Sequence, residues 1–358
     1  MHMASALISS AVGVSMWGVS GATAVKSSRA MTRIIEPRQI PMMGIMGALV
    51  FSAQMINFTI PGTGSSGHFV GGMLLALLLG RYAGFLTIAS VIAIQALFFA
   101  DGGLFALGAN VFNMGVIPCF IVYPLLSRML SSDMAANSWK RRAAIWLSAV
   151  VAVQLGAFGV VMETAASGIS GLPFSTFVLE MLPIHLAIGV AEGLITVAVV
   201  EYVARTEPAV LAAPSASGTP SATAPRATLA VLGVLAIITG GVFSWFASAY
   251  PDGLEWSIAN VTGSAEIAEP ATRIHSAAAY LQEKTALLPD YDFPVADAHS
   301  SSEAGAASQA SAEAESETAW GAPNIGTSVS GLIGGMMTLA LAMLLGWTFR
   351  RRMPEAAT

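Results

Sequence analysis

An all-α integral membrane protein is the fold class the sequence predicts: a seven-helix bundle followed by a two-helix C-terminal module. Three observations carry it. The chain is 55% hydrophobic and only 10% charged, with mean hydropathy +0.69, whereas an ordinary soluble protein carries about 25% charged residues. Apolar runs able to cross roughly 30 Å of hydrocarbon recur along the chain. Lys and Arg gather between alternate runs, the pattern of cytoplasmic loops.

The runs lie near residues 4–25, 41–59, 82–100, 105–127, 143–163, 176–203, 229–249 and 327–349. The first begins with no positive charge ahead of it, so no cleavable signal peptide is expected and the mature chain should start at or near Met1. The bulky His2 should also resist removal of the initiator methionine. A further run near 67–80, containing "FVGGMLLALLLG", is short enough to be re-entrant, and charge decides its status. Basic residues cluster at Lys26, Arg29, Arg33 and Arg38, at Arg81, at Arg128, Lys140, Arg141 and Arg142, at Arg205 and Arg226, and at Arg350, Arg351 and Arg352. With nine crossings and the N-terminus outside, these 14 of the 16 basic residues fall on the cytoplasmic side. Merging 67–100 into one span would put Lys140, Arg141 and Arg142 outside. The expectation is nine helices in the inner or plasma membrane, N-terminus out and C-terminus in, with the lipid bilayer around them and no nucleic-acid partner. Cys119, the single cysteine, lies in an apolar run and is expected to pack there.

Two segments interrupt the apolar pattern. Residues 204–228, "ARTEPAVLAAPSASGTPSATAPRAT", read as a flexible cytoplasmic linker. Residues 250–325 hold 12 of the 21 acidic residues but only Arg273 and Lys284 of the bases, and their second half is low-complexity and expected to be disordered. The domains are therefore 1–203, a membrane bundle; 204–228, a linker; and 229–349, a two-helix module bracketing an acidic external segment.

Residues 61–69, "PGTGSSGHF", have P-loop glycine spacing, but His68 replaces the lysine that reaches the phosphates and Phe69 the Ser or Thr that follows it. The loop also falls outside in this topology, so no nucleotide is expected to bind. What remains is a tight turn presenting His68. Met1 and His2 lie at the same face and offer three nitrogens: the α-amine, the His2 amide and the imidazole Nδ1. Amine and amide close a five-membered chelate ring, amide and Nδ1 a six-membered one. A fourth nitrogen from His68 would complete a planar N4 set, the geometry of Ni(II) or Cu(II) and unlike tetrahedral zinc.

"MHMASALISSAVG", "IPMMGIMGALVFSAQMINFTIPGTGSSGHFVGG" and "ALFFADGGLFALGANVFNMGVIPCFIVYPLL" resemble the nickel/cobalt substrate-capture subunit (S component) of energy-coupling-factor (ECF) transporters, the NikM/CbiM family, over about residues 1–203. "YPDGLEWS" at 250–257 resembles the accessory NikN/CbiN-like PDGLE module, here fused through the linker. The resemblance implies a seven-helix protein that takes Ni(II), or alternatively Co(II), from outside as transported substrate, using Met1, His2 and His68. It also implies a coupling transmembrane subunit and cytoplasmic ATPases as partners, this chain itself being no enzyme. An acidic residue would be expected where Ser5 stands, and a proline where Ser10 stands.

Gln54, Asn57, Ser65, Ser66 and Asp101 are candidates for orienting the ligating groups, since a metal-bound histidine usually donates its second nitrogen to a neighbour. His185, with Glu180, Glu192 and Glu201 on the seventh helix, is an intramembrane ionisable group and so a functional candidate; a structural or partner-facing role is expected. His275 and His299 are expected to be solvated. The contrasting class is an intramembrane serine protease with Ser65 or Ser66 as nucleophile and His185 as base, which leaves "MH" at the terminus unexplained.

Overall fold

The computed structural model describes residues 1–130, 138–207, 226–265, 267–294 and 323–352. Helix α1 (Ser10–Ile34) is capped by Ser9, whose hydroxyl accepts the Val12 N–H at 3.5 Å, satisfying one of the orphan donors of its first turn. Helix α2 (Gln39–Gln54) is apolar on all sides and buried along nearly its whole length, so it forms the centre of the bundle. The hairpin of β1 (Phe58–Ile60) and β2 (Ser65–Gly67) follows, antiparallel with Phe58 opposite Gly67 and Ile60 opposite Ser65. The glycine-rich loop, read from sequence as a tight turn, is pinned by this short ladder within a mostly helical fold.

Helix α3 (Gly72–Phe98) is helical on both sides of Gly80, whose φ of 80° and ψ of 167° only glycine adopts without strain. The chain folds back at that point. A Cβ on Gly84 would stand 2.8 Å from the Leu75 carbonyl carbon, whereas nine residues of straight helix would separate them by about 13.5 Å. The two arms return the chain to the end it left, because His68 before α3 and Asp101 after it meet Met1 and His2 respectively. The short run at 69–80 is thus an arm of its own.

Helix α4 (Leu107–Val111) passes into π-type hydrogen bonding over Phe112–Val122, around Pro118, where a residue without an N–H makes the wider turn the available solution; α5 (Tyr123–Leu130) resumes the α form. Helices α6 (Ser138–Ser167) and α7 (Phe174–Thr206) pack together, and α8 (Arg226–Gly241) and α11 (Ile325–Arg351) pack on α2. Small residues allow that approach: the backbones of Gly331 and Gly240 touch, and Gly334 lies on the Phe51 ring. Between α8 and α11 come α9 (Gly253–Thr262) and α10 (Arg273–Thr285), so the described part of the acidic segment is ordered.

Among the described residues five helices are long and apolar enough, by length and composition, to cross a membrane: Leu107–Arg128, Trp139–Ser167, α7, α11 and α3, the last as two arms reversed at Gly80. Nine crossings were expected. Helix α1 is long but mixes Ser, Thr and basic residues into its apolar pattern, α2 and α8 have 16 residues each, and α3 is folded in two. The chain is a multi-pass membrane protein on those five helices. Residues 208–225 of the linker, and the low-complexity stretch 298–320 with His299, lie outside the described residues.

Candidate metal centre

The first nine residues are fixed before they offer anything to a ligand. Asn110 clasps Met3 from both sides, its Oδ1 accepting the Met3 N–H at 2.7 Å and its Nδ2 donating to the Met3 carbonyl at 3.2 Å. Gly103 N–H donates to the same carbonyl at 3.0 Å, and the Ser5 hydroxyl accepts the Phe105 N–H. Gly102, with φ of 76°, lies where a Cβ would stand 3.1 Å from that of His2, so the "DGG" turn is shaped to receive the N-terminal strand. Ser5 thus anchors a neighbouring turn at the position where an acidic residue was expected. His275 corrects another expectation. It is buried rather than solvated, its Nε2 2.9 Å from the Ile8 carbonyl, its Nδ1 2.6 Å from the Thr272 hydroxyl and its ring on Phe105.

Three groups then converge. The Met1 amine donates to His68 Nε2 at 3.0 Å and to Asp252 Oδ2 at 3.1 Å, and His68 Nε2 lies 3.8 Å from that same oxygen. His68 Nδ1–H donates to the Phe69 carbonyl at 3.1 Å, which fixes the tautomer and leaves Nε2 bare. Glu192 holds the backbone beyond it, accepting the N–H groups of Val70 and Gly71 at 2.9 and 3.1 Å. Burial, followed by the nearby amine charge, lowers the His68 pKa to about 3. The imidazole is therefore neutral, as a metal ligand must be.

His2 stacks on His68 with ring centres 5.0 Å apart and planes 5° from parallel. Its Nδ1 contacts Asp101 Oδ1 at 3.0 Å, while its Nε2 is buried without a partner. The Tyr291 hydroxyl donates to the other Asp101 oxygen. Burial alone would raise Asp101, but the charge and hydrogen bond of His2 and the Tyr291 hydrogen bond hold it at about 2. For Asp252 burial is likewise outweighed by the amine, which keeps it well below the usual carboxylate range.

Asp252 reaches the site because the segment before α9 pairs with the glycine-rich loop. Ser66 N–H donates to the Pro251 carbonyl and its hydroxyl to the Tyr250 carbonyl, both at 2.8 Å. Asp252 divides its carboxylate: Oδ1 caps α9 through the Leu254 and Glu255 N–H groups, and Oδ2 faces the amine. Glu255 returns the capping-box bond to Asp252 N–H at 3.1 Å, a closed reciprocal pair. Above these groups opens a cavity of about 630 Å³, lined among others by His2, His68, Asp101, Asp252, Glu255 and Tyr291.

The other candidates divide. Asp101 meets His2. Gln54 and Asn57 line the cavity, but Gln54 Nε2 donates to the Val70 carbonyl and the Asn57 carbonyl accepts Ser248 N–H, so both brace loops. The Ser65 and Ser66 hydroxyls serve backbone carbonyls of Ser66, Tyr250 and Pro251, not an imidazole. His185 Nδ1 contacts the Met181 carbonyl at 2.8 Å and its ring lies under Gly253; among the described residues no hydrogen bond joins it to Met1, His2, His68 or a serine. The serine-protease dyad is not assembled. Sequence reasoning missed Asp252, Tyr291 and Asn110. Asp252 carried one readable signal, an Asp three residues before a Glu, the capping-box spacing.

A helical membrane protein thus gathers an α-amine, two stacked imidazoles and two carboxylates at one end of its bundle, groups whose chemistry suits a cation. Residues 2–210 match the cobalt uptake substrate-specific transmembrane region family, and the chain belongs to that family, fused to a PDGLE domain matched at residues 226–351. It is 33% identical over 305 residues to a putative fused nickel transport protein of Archaeoglobus fulgidus, covering 84% of each chain. It is 30% identical over 208 residues to a cobalt transport protein of Geobacter sulfurreducens, covering 55% of this chain and 58% of that one. A crystal structure of a transition metal transporter superposes with TM-score 0.51 at 27% identity, covering 57% of this chain and 93% of the other.

Proposed function

We propose that the chain is the metal-capture component of an ECF-type uptake system that binds Ni(II) at the extracytoplasmic face. The ligands are the Met1 amine, the ionised His2 amide, His2 Nδ1 and His68 Nε2. In this reading the chain crosses the membrane nine times with its N-terminus outside and C-terminus in the cytoplasm. Residues 204–228 link the capture domain to the two-helix module. A coupling transmembrane subunit and cytoplasmic ATPases supply the energy, and this chain neither binds nucleotide nor acts as an enzyme.

The carrying observation is the 3.0 Å approach of the Met1 amine to a bare, neutral imidazole nitrogen. Neighbouring donors about 2.0 Å from a common metal and at right angles lie about 2.8 Å apart, so the pair is spaced as adjacent corners of one coordination plane. In the metal-free geometry Asp101 holds His2 Nδ1, so the ring must leave Asp101 to complete the chelate. The site requires Met1 to be the mature terminus. Mass spectrometry of the purified protein is expected to read Met-His-Met at the N-terminus, and a few residues added before Met1 should abolish nickel binding while a C-terminal tag preserves it. Equal affinity for both tagged forms would refute the site.

The second reading is Co(II) by the same route. It is supported by the cobalt-named family and by the carboxylate oxygen of Asp252 at the site, a donor better suited than an amide to a six-coordinate ion. Calorimetric titration with both metals separates the two readings.

A further inference from the structure

The planar nitrogen set does not use Asp252, although Asp252 Oδ2 lies 3.1 Å from the Met1 amine. The Met1 nitrogen, His68 Nε2 and Asp252 Oδ2 form a triangle with sides of 3.0, 3.1 and 3.8 Å. Its circumcentre lies about 2.0 Å from all three corners, within the range of metal–nitrogen and metal–carboxylate bonds. A divalent ion placed there would lie within bonding distance of all three donor atoms. Among the described residues no three His, Cys, Asp or Glu side chains form a metal-binding group; here an α-amine is the third member.

We propose that Asp252 of the fused module is the loading ligand for the transported metal, resting on the capture site described above. The triangle sets the amine at roughly right angles to His68 and Asp252, which stand nearly opposite one another. In the planar chelate the amine and Nδ1 flank the His2 amide, so the position opposite His68 belongs to that amide nitrogen. Asp252 therefore occupies the corner that the amide later takes. Loading begins when the ion displaces one proton from the Met1 ammonium to water in the cavity, forming bonds to the amine, to Nε2 and to Oδ2. The His2 amide then loses its proton to water and its nitrogen bonds the metal as the bond to Oδ2 breaks; the His2 ring leaves Asp101, any proton on Nδ1 passing to water, and Nδ1 bonds the metal as a bound water departs. One anionic donor replaces another, and the metal is neither oxidised nor reduced. Asp252 can make this exchange without unfolding its surroundings, because Oδ1 carries the helix cap and Oδ2 faces the amine.

The test uses the full chain with a free N-terminus and a C-terminal tag, mixed rapidly with Ni(II) and followed by absorbance. Wild type is expected to show two phases, a fast one with weak bands of an oxygen-containing, non-planar ion and a slower rise of the planar band. Asp252→Asn and Asp252→Ser both keep an N-cap acceptor. Each should lose the fast phase and slow capture about tenfold, the scale on which groups supporting a metal site act, while ending in the same planar spectrum. Asp252→Glu, which keeps the carboxylate, should retain a fast phase. If both neutral variants bind with the two phases of wild type, the loading role is overturned. If His2→Ala and His68→Ala also bind normally, the capture site itself is wrong, and the two failures are told apart.

Discussion

The two halves of the site were built by different rules. Met1, His2 and His68 come from the N-terminal bundle and are donors by chemistry: an amine and two imidazoles, the second carried on a stiff hairpin. Asp252 and Tyr291 come from the C-terminal module and gain their place only by packing. Asp252 arrives because Ser66 pairs with Pro251, and Tyr291 because the 282–291 stretch grips the turn before α4. Gln282 Nε2 donates there to the Ala96 and Gly102 carbonyls, and the Asp290 N–H to the Phe99 carbonyl. Ala100, Asp290 and Tyr291 all carry positive φ, of 56°, 52° and 62°. Such strain in residues other than glycine persists only where surrounding contacts over-determine it, as at functional sites. One half of the site carries the proposed nitrogen donors, and the other braces them and brings the Asp252 carboxylate beside them.

The largest expected effect breaks the first half alone. His2→Ala removes Nδ1 and the six-membered ring and should abolish nickel binding in calorimetry. His68→Ala leaves the three N-terminal donors and opens the fourth position to water, so affinity should fall without vanishing. Cutting the chain near residue 206 removes the second half entirely. Every proposed nitrogen ligand survives, so the truncated protein should still bind nickel in detergent, with affinity reduced about tenfold. It loses Asp252, Tyr291 and the His275 bond to Ile8. Undiminished affinity in the truncated chain would show that the module contributes nothing to the site. Tyr291→Phe is the mildest change. It removes one buried hydrogen bond to Asp101, costing about 1 kcal/mol of stability in thermal unfolding, with nickel still bound.

The pH response separates the donors within the first half. His68, lowered to about 3, is already neutral and gives up no proton between about pH 8 and 6, whereas the ammonium and the amide each must. Nickel binding should therefore release more than one proton per metal at neutral pH and weaken as pH falls across that interval. His68 also bears on folding. Because its folded pKa is depressed below its unfolded value of about 6.5, the unfolded chain takes the proton first. Its contribution to stability is full above that value and is lost as pH falls from it toward 3.

The same contrast explains what could be read from sequence. Hydropathy and the basic clusters gave the membrane class; charge separated the run near 67–80 from 82–100, and the chain reverses between them at Gly80. The proposed donor triplet could be read from sequence because chelation depends on the local covalent order of Met1 and His2. What was illegible required long-range register. His275 looked solvated in an acidic polar stretch, since nothing in its neighbours announces Ile8, 267 residues away. The glycine-rich loop showed its glycines but not its ladder with β1, because strand pairing over three residues leaves almost no hydropathy pattern. Asp252 was legible as a helix start and illegible as a neighbour of the amine.

The central claim is that the metal is held in a plane by four nitrogens, three of them from the first two residues. Absorption and magnetic susceptibility of the Ni(II)-loaded protein with a free terminus test it most directly. A diamagnetic ion with a yellow d–d band is the predicted result, as low-spin planar Ni(II) requires. A paramagnetic, octahedral spectrum at equilibrium would contradict it and place the ion among oxygen donors instead.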